Sequence, residues 1–371
     1  MRRLSFAVPV AIVTVALAFA ACGGNHGTTT STGSGGTRGS GGSGGAGTSG
    51  NLFDASAGSG GSTGAGGDAG KTSYLIYAST DTTLFSLDPT DPTLPLKQIG
   101  TYDCIGPSGT PGQQSTAMTD LAVDRNQNIW GLSSFAVRPL TVQGTSVHCG
   151  QEIYVHVNDP NQTNPNFPPF IQFEALTFAP VGVLDPSVEV LVAGDTAGQL
   201  WAVEPNSSIV QHGQFGTVPA SDGHGHTYPY PGGLWELSGD IVFLADSGKP
   251  VGFATVRDCP SPPDNTGCDP IDTLIEIDMT ALAQAGTQNV TKAIRGQVVK
   301  AAGCGDSATG YGSMYGIASW NGSVFGFSRS GNLVQISNVD GTACLVKDYP
   351  ADLFSGAAVT TVAPVLPPPI N

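Results

Sequence analysis

Residues 354–371 read "FSGAAVTTVAPVLPPPIN". Within this stretch Ala357–Pro364 has strand composition, and the Pro367–Pro369 run behind it ends regular structure. Nothing downstream can pair with it. A lone strand presents unpaired N–H and C=O groups that invite aggregation, so its partner has to lie upstream. Finding that partner decides the architecture.

The chain has 371 residues, of which 12% are charged, with 52 Gly and 27 Pro and a formal net charge of −15. That charged share is about half the usual value for a soluble domain. Low charge with abundant Gly, Pro, Thr and Ser suits an exported all-β protein and argues against helical bundles. The acidic balance excludes a nucleic-acid partner, which needs a Lys/Arg footprint; the only basic run is Arg2–Arg3.

From Lys71 onward, short apolar-alternating runs are bounded by Gly, Asp, Asn and Pro, the pattern of strands and tight turns. The one candidate helix is "MTALAQAG", 279–286. Four segments open alike: "TDLAVDRNQNIWGLSS" from Thr119, "EALTFAPVG" from Glu174, "GLWELSGDIVFLADS" from Gly233 and "YGIASWNGSVFGFSRSGNLVQIS" from Tyr315. Each gives an apolar strand, a turn and a second apolar strand. A third strand follows as "EIYVHVND" (152–159), "QLWAVEP" (199–205), "TLIEIDM" (273–279) or "NLVQISN" (332–338), then a weaker fourth such as "IVQHGQFG" (209–216).

A repeated four-strand meander resembles the blade of a β-propeller, in which stacking around an axis covers sheet faces that one blade would expose. The resemblance spans 72–365 and is architectural: no sialidase-type box, WD dipeptide or kelch Gly-Gly pattern is present. The first repeat, 73–102, supplies only strands two to four. "AAVTTVAP" is similar to "EALTFAP", an opening strand, so Ala357–Pro364 is expected to be the innermost strand of blade one, beside "YLIYAS". The expected fold is a closed propeller of about five four-stranded blades, sealed by the C-terminal strand: 74–103 with 355–364, then 116–173, 174–217, 231–298 and 312–349. Six blades also fit, because 231–298 is long and carries an apparent insert, 247–268.

Residues 1–21 have the two arginines, apolar run and small residues of a secretory signal. "AFAAC" (18–22) resembles the lipobox of bacterial lipoproteins, with Phe19 in place of the usual Leu. The resemblance implies cleavage before Cys22, diacylglycerol on its thiol, and placement in the outer membrane or on the cell surface, since Gly23 is not the Asp that favours inner-membrane retention. Cleavage removes both arginines and takes the net charge to −17. Residues 22–70 form the lipidated cysteine and a Gly/Ser/Thr-rich tether unable to bury a core. As a coil it spans roughly 35–40 Å. The folded domain is then 71–366 and the Pro-rich tail 367–371.

Six further cysteines allow 15 connectivities. Against the blade model they pair as Cys104–Cys149 on one face, Cys259–Cys268 around a turn-rich loop, and Cys304–Cys344 by elimination, the last two toward opposite ends of blade five. No Cys/His zinc spacing occurs.

Loops joining one blade's last strand to the next blade's first share a face around the channel mouth. Two are long, 216–233 and 299–314. The first carries Asp222, His224, His226, Tyr228 and Tyr230 at alternate positions, and the second carries Asp306 and Tyr311. Asp222, His224 and His226 are the ligand types for a transition metal. The same loop equally reads as a solvated Gly/Pro rim or as a contact surface for a glycan or small molecule, while Trp235 reads as core. "DRNQN" (124–128) lacks the calcium-loop glycine and reads as a hairpin turn, and "DPTDPT" (88–93) as turn material. "GCGDSATGYGSMYG" (303–316) lacks the Lys-Ser/Thr of a phosphate loop, and no G-x-S-x-G elbow is present. With no catalytic constellation, the favoured reading is a monomeric, non-catalytic binding or scaffold module at the cell envelope, meeting an envelope protein or glycan without a cofactor. The alternatives are an envelope lyase or hydrolase acting on glycans at the channel mouth, and a metal site at 222–230.

Overall fold

Alternating β-branched and aromatic residues between Gly, Asp and Asn turns produce an all-β protein in the computed structural model. It describes residues 74–106, 115–133, 136–155, 173–205, 208–246, 249–260 and 267–364. The signal sequence, Cys22, the tether and the tail lie outside the described residues.

The first strands are β1 (Ile76–Thr80), β2 (Thr83–Leu87) and β3 (Lys97–Tyr102). A second meander holds β4 (Asp120–Val123), β5 (Ile129–Ser133), β6 (Ala136–Gln143) and β7 (Ser146–Cys149), with the short β8 (Ile153–Tyr154) on β6. A third runs β9 (Phe173–Ala179), β10 (Val190–Asp195), β11 (Gln199–Val203) and β12 (Ile209–Gln214). The fourth has β13 (Trp235–Asp246), β14 (Lys249–Asp258) and β15 (Thr273–Ile277); after α1 (Met279–Leu282), β16 (Gly286–Asn289) joins β12, and β17 (Thr291–Gln297) completes the sheet. The fifth is β18 (Gly316–Trp320), β19 (Ser323–Phe327), β20 (Asn332–Ser337) and β21 (Ala343–Asp348). Asp278 caps the single helical turn by accepting the N–H groups of Thr280 and Ala281.

The final strand, β22 (Phe354–Ala358), pairs antiparallel with β1, Ala357 opposite Ala78 and Ala358 opposite Tyr77. The partner is the expected one, but the strand lies earlier than the expected 357–364. Residues beyond Ala358 do something else. Thr360 bridges to Val123 and its hydroxyl donates to the Asp124 carbonyl. Ala245 N–H donates to Thr361 O at 2.7 Å, the Thr361 hydroxyl meets Glu189, and Asn321 N–H donates to Pro364 O at 2.9 Å. The segment therefore crosses from β4 to the ends of β13 and β18, with Thr360, Thr361 and Ala363 buried. Two adjacent threonines that bond sideways cannot also continue a ladder.

The first strands of the five meanders contact one another in cyclic order: β22 on β4, β4 on β9, β9 on β13, β13 on β18 and β18 on β22. The outer strands β3 and β7 also pair, in parallel, through Thr101–Ser146 and Tyr102–Val147, which merges the first two meanders into one sheet.

Two expected strand assignments change. "WELSGDIVFLAD" is one strand, not two: Gly239 is no turn, because a Cβ there would lie 2.4 Å from Tyr315 Cα, and the register shifts between Leu237 and Ile241 instead. The second strand of that sheet is β14, the segment read as an insert. In the second meander the third strand is β6, paired along β5, rather than 152–159. "DRNQN" is a hairpin turn, with Asp124 Oδ1 accepting the N–H groups of Asn126 and Asn128.

All three expected cysteine pairs are within bonding reach, with Cα separations of 5.8 Å for Cys104–Cys149, 4.1 Å for Cys259–Cys268 and 5.6 Å for Cys304–Cys344. Cys149 ends β7, the fourth strand of its meander. Cys304 is not at the far end from Cys344: Lys300 runs parallel beside Ala343, and Ala301 N–H donates to its carbonyl. Replacing Cys304 and Cys344 with Ala is expected to lower unfolding free energy by about 2–5 kcal/mol, read by thermal or urea unfolding.

Candidate functional site

The residues singled out on the connecting loops fall into two places. In 215–234 the carboxylate of Asp222 is already engaged: Oδ1 accepts the His224 N–H at 2.7 Å and the His226 N–H at 3.1 Å, and Asp222 N–H donates to His226 O. This Asx turn shapes the loop tip and leaves the His224 side chain exposed. The His226 ring turns the other way, with Nε2 3.6 Å from Asp269 Oδ2 and its ring edge-on to Tyr228 at 5.5 Å. Tyr228 is buried, lies perpendicular to the fully buried Trp235 at 5.0 Å, and its hydroxyl accepts from Thr273 Oγ1. Burial pushes its phenol up. Tyr230 N–H donates to Asp258 Oδ2 at 2.7 Å and its hydroxyl donates to Gly267 O. The loop is thus fastened to the Cys259–Cys268 turn, with Tyr228 as its core plug and not an open stacking face.

Asp222, His224 and His226 do not converge as a metal-ligand set. Among the described residues, three ligand-type atoms gather within 4.8 Å only at Asp103, Cys104 and Cys149 and at Glu236, Cys259 and Cys268, where the sulfurs form disulfides.

The second place is a real recess. Asp306 and Tyr311 line a cavity of about 230 Å³ with Ser307, Ser330 and Asn332. Tyr311 donates its hydroxyl hydrogen to Asp306 Oδ2 at 2.9 Å and accepts from Leu345 N–H at 3.0 Å. Burial, reinforced by the Asp306 carboxylate, pushes the phenol up to about 12. Burial acts to raise Asp306, but the Tyr311 hydroxyl and the Ala308 N–H outweigh it and hold the carboxyl below its ordinary value. This is a fixed carboxylate with a fixed phenol, ringed by hydroxyl and carboxamide groups. It can accept and donate hydrogen bonds. It has no general base poised near neutrality and no activated nucleophile.

Buried polar residues that the sequence reading passed over hold this recess in place. Asp272 Oδ2 accepts the Met314 N–H, and Asp272 N–H donates to Tyr311 O, so one residue fixes both ends of the recess wall. Arg257 donates to the carbonyl and hydroxyl of Ser238 at 2.9 and 2.7 Å and stands 3.9 Å from Asp272. Burial raises the Asp272 carboxyl, and Arg257 opposes the rise. The available signal was a charged residue inside an apolar strand, as in "VGFATVRD".

Where the first strands of the meanders meet, Asp120 of β4 and Asp240 of β13 are fully buried and hydrogen-bonded to each other. Asp120 Oδ2 accepts the Leu176 N–H from β9. Asp240 accepts N–H groups from Ile241, from Ile317 on β18 and from Ala357 on β22. Burial pushes both carboxyls well up, and the charge of Asp240 adds to the rise at Asp120. Two ionised carboxylates cannot share a hydrogen bond, so one holds a proton. Asp240 accepts three backbone N–H groups and Asp120 two, and their mutual hydrogen bond raises Asp120 and lowers Asp240, which assigns the shared proton to Asp120.

No protein-family model and no curated protein matches the chain. Solved structures similar to it include a protein of unknown function from Bacteroides caccae, at 10% identity over 78% of this chain and 99% of that one, with a TM-score of 0.37. U3-55K is similar at 12% identity over 78% and 82%, TM-score 0.35, and BBS1N, solved in complex with ARL6DN, at 8% over 72% and 59%, TM-score 0.30. Likeness at this level carries no functional inference.

Proposed function

We propose that the chain is an exported, lipid-anchored envelope protein whose 71–366 portion is a closed five-bladed propeller acting as a non-catalytic binding or scaffold module. The cyclic order of inner-strand contacts supports five blades, as does the pairing of β22 with β1, which completes the first of them. Three cysteine pairs at bonding distance support export, since such bonds persist in oxidising compartments. The observation that carries the binding reading is the recess at Asp306 and Tyr311: its polar groups are locked to one another and to the backbone, a preorganised surface without a reactive group.

Two measurements test this. Mass spectrometry of the chain from its native host should find Cys22 at the N-terminus bearing diacylglycerol; an unmodified Cys22 would sink the anchor. Envelope extracts separated into glycan and protein fractions should contain a ligand that the chain retains and releases chemically unchanged. Release of a cleaved or eliminated product would overturn the non-catalytic reading.

A further inference from the structure

A second recess lies against the β18–β21 sheet and shares no wall residue with the Asp306 recess. It has a volume of about 290 Å³ and runs between the β18–β19 turn and the β2–β3 loop. Its walls include Trp320, Asn321, Ser323, Gln335, Asp91 and Leu94. Trp320 is only partly buried, and its indole is backed by Tyr74 at 6.1 Å, tilted, so the ring is held rather than loose. Gln335 is exposed and its carboxamide is oriented by a 2.7 Å bond from Nε2 to Ser323 Oγ. Asn321 Oδ1 is buried and has no hydrogen-bond partner among the described residues. A buried acceptor without a donor is destabilising, and a bound hydroxyl would supply the missing bond. Two of the four described non-glycine residues with positive φ stand in this wall, Leu94 at 43° and Asn321 at 49°. Leu94 carries strain there, whereas Asn321, followed by Gly322, has the left-handed conformation that a two-residue hairpin turn favours.

The chemistry selects the ligand. The one charged wall residue, Asp91, has Oδ1 occupied by the N–H and hydroxyl of Thr93. Lys347, the cation that acts on Asp91, is not one of the wall residues, and its Nζ donates to the Thr93 carbonyl at 2.9 Å. What remains is an aromatic face, two carboxamides and a hydroxyl. An aromatic face takes the C–H side of a polyol ring, and carboxamides both donate to and accept from its hydroxyls. The volume stands at the small end of ligand pockets, about 300–1,000 Å³, and suits one ring rather than an extended chain. We propose that this recess binds a single neutral pyranose unit of a glycan. The proposal rests on the binding-module reading but places the sugar in a recess that shares no wall residue with the Asp306 recess.

The test uses the full-length chain in detergent on immobilised neutral sugars: glucose, galactose, mannose and N-acetylglucosamine, each as monomer and short oligomer. Wild type should retain at least one of them. Asn321→Gly removes the carboxamide and keeps the left-handed backbone without strain, so it should fold normally. Gln335→Ala changes an exposed side chain. Each is expected to weaken sugar binding at least tenfold while the thermal midpoint holds. Binding that survives both substitutions overturns the proposal, as does the absence of binding to every sugar on the surface. If Asp306→Ala weakens sugar binding and Asn321→Gly does not, the sugar site is the Asp306 recess: this inference fails and the binding-module reading stands. A ligand retained from the envelope protein fraction, with no sugar bound, separates the two in the same way.

Discussion

Deleting residues 355–371 is expected to abolish cooperative unfolding, or to lower the thermal midpoint by 20 °C or more. The loss has three parts. The β22 ladder on β1 disappears, leaving an open edge on both β1 and its cyclic neighbours. The buried Ala357, Val359 and Ala363 go, uncovering Phe354, which packs edge-on against Phe327 at 5.2 Å. The crossing segment also releases Val123, Ala245, Glu189 and Asn321, which belong to or adjoin four different meanders. Backbone bonds at about 1 kcal/mol each and apolar burial at about 25 cal/mol per Å² together reach about 10 kcal/mol, the size of a domain's whole stability. A chain ended after Pro364 keeps every contact named and should match wild type in differential scanning calorimetry. Adding the 354–364 peptide to the truncated chain should restore part of the midpoint by strand addition. A midpoint unchanged by the 355–371 deletion would refute the sealing role and the five-blade closure with it.

How far the sequence could be read follows the difference between local and distant constraints. The apolar runs of β9, β11, β15 and β20 stood out because period-two alternation and Gly or Asp turns are local signals. The pairing of the C-terminus with β1 was legible by subtraction, since one repeat lacked a strand. The boundary was not: the strand begins at Phe354, ahead of the expected 357–364, and the sideways bonding of Thr360 and Thr361 depends on partners up to 237 positions away. β6 was missed because Pro139 disguises a strand that still pairs on both sides. β13 was split because Ser238–Asp240 resembles a turn until Tyr315 is seen against Gly239. The candidate residues on 222–230 were chosen by spacing, and spacing cannot say that Asp222 serves backbone amides or that Tyr228 faces inward. Asp120 and Asp240, one at the edge of a strand and one inside it, gave no signal until three other strands converged on them.

That convergence makes the pair the second large effect. In the folded state Asp120 keeps a proton that the unfolded chain gives up above its ordinary pKa near 4. A raised folded pKa means the folded state binds more protons, so the stabilisation is fully present below about pH 4 and is lost as pH rises toward the folded value. Between those limits the slope is about −1.4 kcal/mol per pH unit for one proton. The buried groups near the pair reinforce the sign: burial raises Glu174, Asp272 and Glu189, and raises Asp195 to about 6. The carboxyls held below their ordinary values, such as Asp91, Asp185 and Asp340, act only at more acid pH. The thermal midpoint should therefore fall steadily from pH 5 to pH 8. Asp120→Asn copies the protonated form, its carboxamide donating to Asp240 and accepting from Leu176, and should flatten that slope while keeping stability at pH 5. Asp120→Ala leaves Asp240 buried without its partner and should cost about 3–5 kcal/mol at pH 7. A wild-type profile flat over this range, or an Asn variant with the wild-type slope, would show that the central pair holds no proton.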